Sequence, residues 1–321
     1  MNFPTFIMLI GLPGSGKSTV AETYKALGYH IHSSDEIREE LSGDVNNQNI
    51  NGLVFQTLHK RIMEDLSNGI SCVYDATNIS YKRRMSFLQE VHKKIFCWKK
   101  AVVVATPDEV CLQQNEGRER TVPEEVLERM YRHFDPPYYY EGWNEIEIHY
   151  NDLGYKSLYG TPSQFIFDTV DFDQQNKYHN ETLGEHCRKA REYVIKNYSS
   201  SRRLNYAIVA EAAEIHDNGK PFCKTFTDAK GNPSDSAHYY DHEHVGSYNS
   251  YFYDTGATDK TYLAALVRWH MQMHFIDKQP HTAEKYKKLF GDKMWQDMRY
   301  LHKADKEAHN NEIAEQGTTT L

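Results

Sequence analysis

The run Gly11–Thr19, GLPGSGKST, constrains the fold more than any other stretch of this chain. It fills every fixed position of the pattern GxxxxGK[ST], with Gly11, Gly16, Lys17 and Ser18. The apolar run Phe6-Ile7-Met8-Leu9-Ile10 leads into it, so a buried strand should feed a glycine turn, and a helix should start near Lys17. Gly14 and Gly16 permit the positive φ angles that turn backbone N–H groups inward around an anion. The helix N-terminus adds about half a unit of positive charge at the same place. Gly11, Pro13, Gly14, Ser15, Gly16, Lys17, Ser18 and Thr19 therefore read as the cradle of a nucleoside triphosphate. Lys17 would reach the β- and γ-phosphates, and the Ser18 hydroxyl would hold Mg²⁺.

The chain after this helix continues as alternating short strands and helices, the pattern of a parallel α/β sheet. Tyr29 to His32 reads as a strand that hands over to Ser33-Ser34-Asp35-Glu36-Ile37-Arg38. Two readings of that turn stand together. Ser33 and Glu36 form a capping box with an Asp35–Arg38 ion pair. Equally, the turn lies at the carboxyl edge of the sheet, where a carboxylate can take a proton from an attacking hydroxyl and an arginine can hold an anionic acceptor. Leu53 to Leu66 is apolar at helical spacing, and Ile70 to Tyr74 is a buried strand closed by Asp75, a position suited to organising Mg²⁺. Lys82-Arg83-Arg84 reads as a solvated basic face ahead of a phosphate site, and Tyr138-Tyr139-Tyr140 with Trp143 as packing ahead of a base-stacking cluster. The segment Asn115 to Glu125 has the character of a lid, in which Arg118 or Arg120 could close onto a transferring phosphoryl group.

With 321 residues there is room for two cores. A polar stretch with Gly154, Gly160 and Pro162 divides them, giving an N-terminal domain over 1–150, a linker over 151–164, a second domain over 165–309 and a tail over 310–321. No run approaches a membrane span and no secretion signal is visible. The five cysteines are odd in number and lack a CxxC pair, which suits reduced thiols in a cytoplasmic setting. A net charge of −8 argues against a sequence-independent nucleic-acid coat, but not against an enzyme gripping a strand end.

GLPGSGKST, SSDEIR, YDATN and NEGRERTVPEEVLERMYRHF together resemble the phage-type 5′-hydroxyl polynucleotide kinases over about residues 5 to 135. The resemblance implies ATP and Mg²⁺ as cofactors. Asp35 would be the general base on the 5′-hydroxyl, Arg38 the clamp on the acceptor phosphate, and Arg118 the lid arginine on the ATP phosphates, with Asp75 in the strand-end motif. The run from Arg118 to the Val122-Pro123 pair is shorter than the family pattern, so Arg118 and Arg120 both stay open for the lid role.

The second half reads as mostly helical and carries 11 of the 17 histidines. His186, His216-Asp217, His242, His270 and Asp305 lie on five successive elements, a donor set suited to Mn²⁺, Fe²⁺, Co²⁺, Ni²⁺ or Zn²⁺. The order H…HD…H…H…D, with HDNGK and DHEHVG, resembles the HD-domain metal-dependent phosphohydrolases, implying an all-α domain. By that resemblance His186, His216, Asp217 and Asp305 hold one ion. Asp217 bridges to a second ion held by His242 and His270, and Lys220 contacts a phosphate oxygen. His238 and His244 are rivals for the second set, while His281 and His302 read as structural.

Together the resemblances imply an RNA end-healing enzyme that phosphorylates 5′-hydroxyl ends and hydrolyses a 2′,3′-cyclic or terminal phosphate at the 3′ end. Its substrate would be RNA or DNA ends, with a separate RNA ligase as partner. End-healing fusions of these two modules place the HD module first, the reverse of the order here. The alternatives are a nucleoside or small-molecule kinase joined to a nucleotide phosphohydrolase, and a non-catalytic sensor of ATP and RNA ends.

Overall fold

The computed structural model describes residues 3–117, 121–151, 169–176, 181–198, 206–253 and 259–316, with backbone alone for 310–316. Two compact units result, Met1–Tyr131 with Pro137–Leu158, and Arg132–Pro136 with Tyr159–Leu321.

In the first unit the strands are β1 (Thr5–Ile10), β2 (His30–Ser33), β3 (Cys72–Asp75), β4 (Trp98–Ala105) and β5 (Glu145–Tyr150). The helices are α1 (Lys17–Ala26), α2 (Ser34–Ser42), α3 (Asn51–Ser67), α4 (Tyr81–Lys94), α5 (Asp108–Glu116) and α6 (Glu124–Tyr131). All four strand pairings are parallel, in the order β2-β3-β1-β4-β5. Side chains alternate across a strand, so β1 buries both faces. Ile7 and Leu9 pack with Val20 and Ala21 of α1 on one face. On the other, Phe6 meets Phe87 of α4 edge-on, and the His59 ring of α3 stacks on Phe87. The parallel sheet with helices on both faces follows from that two-sided burial.

Arg84 departs from the basic face that its run suggested. Its guanidinium is buried and makes a bidentate pair with Glu141, at 2.9 Å from Nε and 2.7 Å from Nη2. Glu141 also accepts from the Trp143 indole at 3.1 Å. The apolar positions of α4 turn Arg84 inward, and a carboxylate 57 residues later neutralises it.

The second unit contains α7 (Leu183–Tyr198), α8 (Tyr206–Ile215), α9 (Lys220–Cys223), α10 (His242–Asn249), α11 (Lys260–Lys278) and α12 (Ala283–Gln316), the last bent at Gly291. Helix α7 packs on α8 and α12, and α10 on α11. It is not purely helical. Strands β6 (Thr225–Thr227) and β7 (Pro233–His238) form an antiparallel hairpin, closed where the Asp228 carboxylate accepts the Lys230 and Asn232 amides at 2.8 Å. Residues 132–136, expected in the first domain, belong to this unit: Phe134 lies edge-on to Tyr248, and Asp135 pairs with Arg268 at 2.7 Å. The last helix runs to Gln316, into the segment expected as a tail. The proposed linker lies, apart from Asn151, outside the described residues, as do Arg118 and Arg120. Among the described residues no helix is long and apolar enough to cross a membrane.

Candidate active sites

In the first unit the carboxyl ends of β1, β2 and β3 converge on one edge. Gly14 and Gly16 adopt φ of 79° and 93° in the turn after β1. A Cβ on Gly14 would sit 2.2 Å from the Cys111 carbonyl, and one on Gly11 would sit 2.7 Å from Ser15 Oγ. The cradle therefore admits only glycine at these places, which suits the close approach of phosphate to backbone. Lys17 is buried, its ammonium 3.1 Å from the Gly11 carbonyl, 2.6 Å from that of Leu12 and 3.3 Å from Ser15 Oγ. The Ser15 carbonyl accepts from Thr106 Oγ1 at 2.8 Å, pinning the turn to the end of β4. Pro13 is buried, whereas Ser18 and Thr19 are exposed on the first turn of α1.

Neighbouring strand ends complete the edge. Ser18 Oγ donates to Asp75 Oδ2 at 3.4 Å, and Ser33 lies opposite Asp75 in the β2–β3 register. Burial raises the Asp75 carboxyl; Lys17 opposes that shift, and the charge of Asp35 adds to it. The side chains at the ends of β1, β2 and β3 thus share one electrostatic environment. Ser33 Oγ accepts the Asp35 and Glu36 amides, the N-cap half of the expected capping box, and Arg38 Nη1 donates to Asp35 Oδ1 at 2.9 Å. The Arg38 side chain is 4% exposed against 38% for Asp35, so a buried arginine presents a solvent-facing carboxylate. Arg38 Nη2 also donates to Asn51 Oδ1 at 2.8 Å. Asn78, at a left-handed φ of 48°, donates its side-chain amide to the Leu9 carbonyl at 2.9 Å. That tie between β1 and the turn after β3 escaped sequence reasoning, although Asn is the residue type enriched at such φ.

In the second unit, His186 comes from α7, His216 and Asp217 from the turn after α8, His242 from α10, His270 from α11 and Asp305 from α12. Two glycines allow the turn and α10 to meet: a Cβ on Gly219 would lie 2.2 Å from the His242 carbonyl, and one on Gly246 would lie 2.8 Å from Asn218 Oδ1. His186 Nε2 stands 3.3 Å from His216 Nε2, 3.2 Å from Asp305 Oδ1 and 3.8 Å from Asp217 Oδ2. His216 Nε2 is 3.4 Å from Asp217 Oδ2 and 3.6 Å from Asp305 Oδ1. On the other side, Asp217 Oδ1 is 3.1 Å from His242 Nε2 and 3.6 Å from His270 Nε2, which are 3.3 Å apart.

These spacings fit divalent cations. Bonds of about 2.1 Å put cis ligands of an octahedral or tetrahedral ion about 3.0–3.4 Å apart. The tautomers fit as well. The Nδ1–H of His216, His242 and His270 donates to the carbonyls of Ala213, Tyr239 and Val267 at 2.8, 2.7 and 2.6 Å, leaving each Nε2 lone pair directed into the cluster. Burial would raise the Asp217 carboxyl, but Lys220 at 2.7 Å and the surrounding imidazoles hold it well below the usual range. Burial lowers His270 to about 4, so it is neutral at physiological pH. His186 is the opposite case: Asp305 and Glu181 outweigh its burial and lift it to about 9. A divalent cation would displace that proton.

All six ligand positions therefore come together. Lys220 also donates to Gln174 Oε1 at 2.9 Å. The rivals lie elsewhere: His238 Nε2 is 3.1 Å from Ser234 Oγ, and the His244 Nδ1–H donates to the Phe134 carbonyl at 2.9 Å. Three neighbours were missed. Glu181 Oε1 is 3.4 Å from His186 Nδ1, His274 Nε2 is 2.7 Å from Asp305 Oδ2, and the His309 ring stacks on His186. His274 follows His270, and His309 follows Asp305, at i+4, a spacing that puts each pair on one helix face. His302 instead pairs with Asp277 at 2.9 Å.

Comparison with known proteins bears on the first unit. Residues 6–137 match the family model of an AAA domain. An L-seryl-tRNA(Sec) kinase of Methanococcus maripaludis is 28% identical over an alignment of 148 residues that covers 44% of this chain and 57% of that kinase. The chain thus spans little more than half the length of that relative. Among solved structures, the Pnkp1/Rnl/Hen1 RNA repair complex aligns at 21% identity and a TM-score of 0.35, covering 40% of this chain and 43% of that one. A gluconokinase from Sinorhizobium meliloti 1021 aligns at 18% identity and a TM-score of 0.33, covering 47% and 84%. The N-terminal unit is a P-loop domain with a parallel sheet, matched by the AAA-domain model.

Proposed function

We propose that the chain heals RNA ends: its first unit transfers the γ-phosphoryl group of ATP to a 5′-hydroxyl, and its second hydrolyses a phosphoester at the 3′ end. The observation that carries the first activity is the shared edge of Lys17, Ser18, Asp75 and Asp35, where Asp35 and Arg38 stand together. Asp35, solvent-facing and held by Arg38, accepts the proton of the attacking hydroxyl, while Arg38 gives an anionic strand a buried cation to bind. Lys17 and the cradle would hold the β- and γ-phosphates, Ser18 and Asp75 would hold Mg²⁺, and bound ATP would supply the phosphoryl group. The motif resemblance to polynucleotide kinases, and the match to a kinase named for seryl-tRNA, favour an acceptor carried on RNA.

For the second activity, Asp217 would share its two oxygens between two ions, His186, His216 and Asp305 completing one shell and His242 and His270 the other. Divalent cations bound there supply Lewis-acid stabilisation at phosphorus and an activated water. Lys220 neutralises Asp217 and can turn to a phosphate oxygen. A separate RNA ligase would then seal the ends.

Acceptor competition tests the substrate class. With radiolabelled ATP, short 5′-hydroxyl oligonucleotides should outcompete mononucleosides as phosphoryl acceptors, and preference for a mononucleoside would favour the small-molecule kinase. A sensor without catalysis would keep its biological effect in an Asp35→Asn protein that transfers no phosphoryl group.

A further inference from the structure

Strand β2 is an edge strand of the first unit's sheet, and its sequence His30-Ile31-His32 sets two imidazoles on one face. That face also carries Asp65 of α3 and Cys72 of β3. His30 lies opposite Cys72 in the register. Asp65 Oδ2 is 3.0 Å from His30 Nδ1 and 2.7 Å from His32 Nε2. The ligand atoms of His32, Asp65 and Cys72 all lie within 4.8 Å of one another. Three donors from three elements, His32, Asp65 and Cys72, thus meet at the end of the sheet opposite the phosphate cradle, with His30 bonded to the same carboxylate.

We infer that His32, Asp65 and Cys72 form a binding site for a thiophilic divalent cation such as Zn²⁺, distinct from the cluster of the second unit, with a solvent molecule as its fourth ligand. An imidazole, a carboxylate and a thiolate are a donor set that Zn²⁺ and Co²⁺ accept and Mg²⁺ does not. A tetrahedral ion with bonds of about 2.0–2.3 Å sets its ligand atoms about 3.3–3.8 Å apart. The 2.7 Å between His32 Nε2 and Asp65 Oδ2 is a hydrogen-bond separation, so the two groups draw apart when the ion enters. The His30 side chain is 54% exposed and opens the site to solvent, while His32, Asp65 and Cys72 form its walls. Without the ion, burial and the Asp65 charge keep the Cys72 thiol protonated. On binding, that proton passes to solvent and the thiolate becomes the third protein ligand.

Such an ion would clip the edge strand to α3 and β3. Ser33 ends that strand and Asp35 follows it, so the clip would fix the backbone from which the candidate base projects. The inference does not depend on the activity proposed for either unit.

Cobalt(II) separates this site from the histidine and aspartate cluster, because thiolate ligation adds a near-ultraviolet charge-transfer band that oxygen and nitrogen ligands do not give. Titrating the full chain with Co²⁺ should produce that band, and Zn²⁺ should bleach it. Cys72→Ser should abolish the band and lower the bound metal by one ion per chain, leaving the cluster's ions in place. His32→Gln should weaken the ion at least ten-fold with the band retained. Absence of a thiolate band at saturating Co²⁺, or its survival in the folded Cys72→Ser protein, would overturn the inference.

Discussion

Replacing Asp35 by asparagine separates chemistry from folding. The Asp35 side chain is 38% exposed, and its ion pair with Arg38 spans 2.9 Å. Pairs this open contribute about 0–1 kcal/mol, and the amide Oδ1 of asparagine can still accept from Arg38. The helix cap is unaffected, because Ser33 and not Asp35 makes it. Arg38 also keeps its 2.8 Å bond to Asn51. A loss of about 1 kcal/mol lowers the melting temperature by about 2–4 °C in a domain of this size. Removing a general base, by contrast, slows proton transfer by about 10²–10⁴-fold, or about 2.7–5.4 kcal/mol of barrier. Single-turnover phosphorylation of a 5′-hydroxyl oligonucleotide at saturating ATP should therefore fall by that factor, with ATP affinity unchanged and melting nearly so. A loss smaller than ten-fold would refute Asp35 as the base, and a large drop in melting temperature would assign it to the fold instead.

Three further outcomes follow from particular contacts. Arg84→Met leaves the buried Glu141 carboxylate without its guanidinium and should cost about 3–5 kcal/mol in urea unfolding, whereas Arg84→Met with Glu141→Leu should cost clearly less. His274→Phe removes the N–H that Asp305 Oδ2 accepts, and should weaken one ion of the second unit by about 10–100-fold in competition with a chromophoric chelator. Burial, reinforced by Glu109, raises the Asp108 carboxyl to about 6, above its ordinary value, so its contribution to stability is full below pH 4 and is lost as pH rises through 6. The melting temperature of the wild type should therefore drop relative to Asp108→Asn between pH 4 and 6, and parallel curves would contradict this.

Local features were legible in the sequence wherever the physics is local. The glycine turn, the Ser33 cap and the Asp35–Arg38 pair each depend on residues a few positions apart. The His and Asp order was legible because five ligand-bearing elements recur in one sequence of types. What escaped depends on distant partners. Lys82-Arg83-Arg84 gives no sign that Arg84 turns inward, because its carboxylate lies at Glu141. The 225–238 hairpin escaped because β6 is only three residues long and β7, Pro-Ser-Asp-Ser-Ala-His, is polar and opens on a proline. His274 and His309 could have been found from the i+4 spacing to His270 and Asp305, while Glu181 lies before α7 and carries no such signal.

The central claim is that one chain acts on both ends of a cleaved RNA. It is tested most directly with a single oligonucleotide bearing a 5′-hydroxyl and a 2′,3′-cyclic phosphate. The oligonucleotide is incubated with the protein, ATP, Mg²⁺ and Mn²⁺ and followed by intact mass. The account predicts one added phosphoryl group, lost in Asp35→Ala, and hydrolysis at the 3′ end, lost in Asp217→Ala. A 5′ gain with an untouched 3′ end would contradict the second activity, and an unchanged mass would contradict the account as a whole.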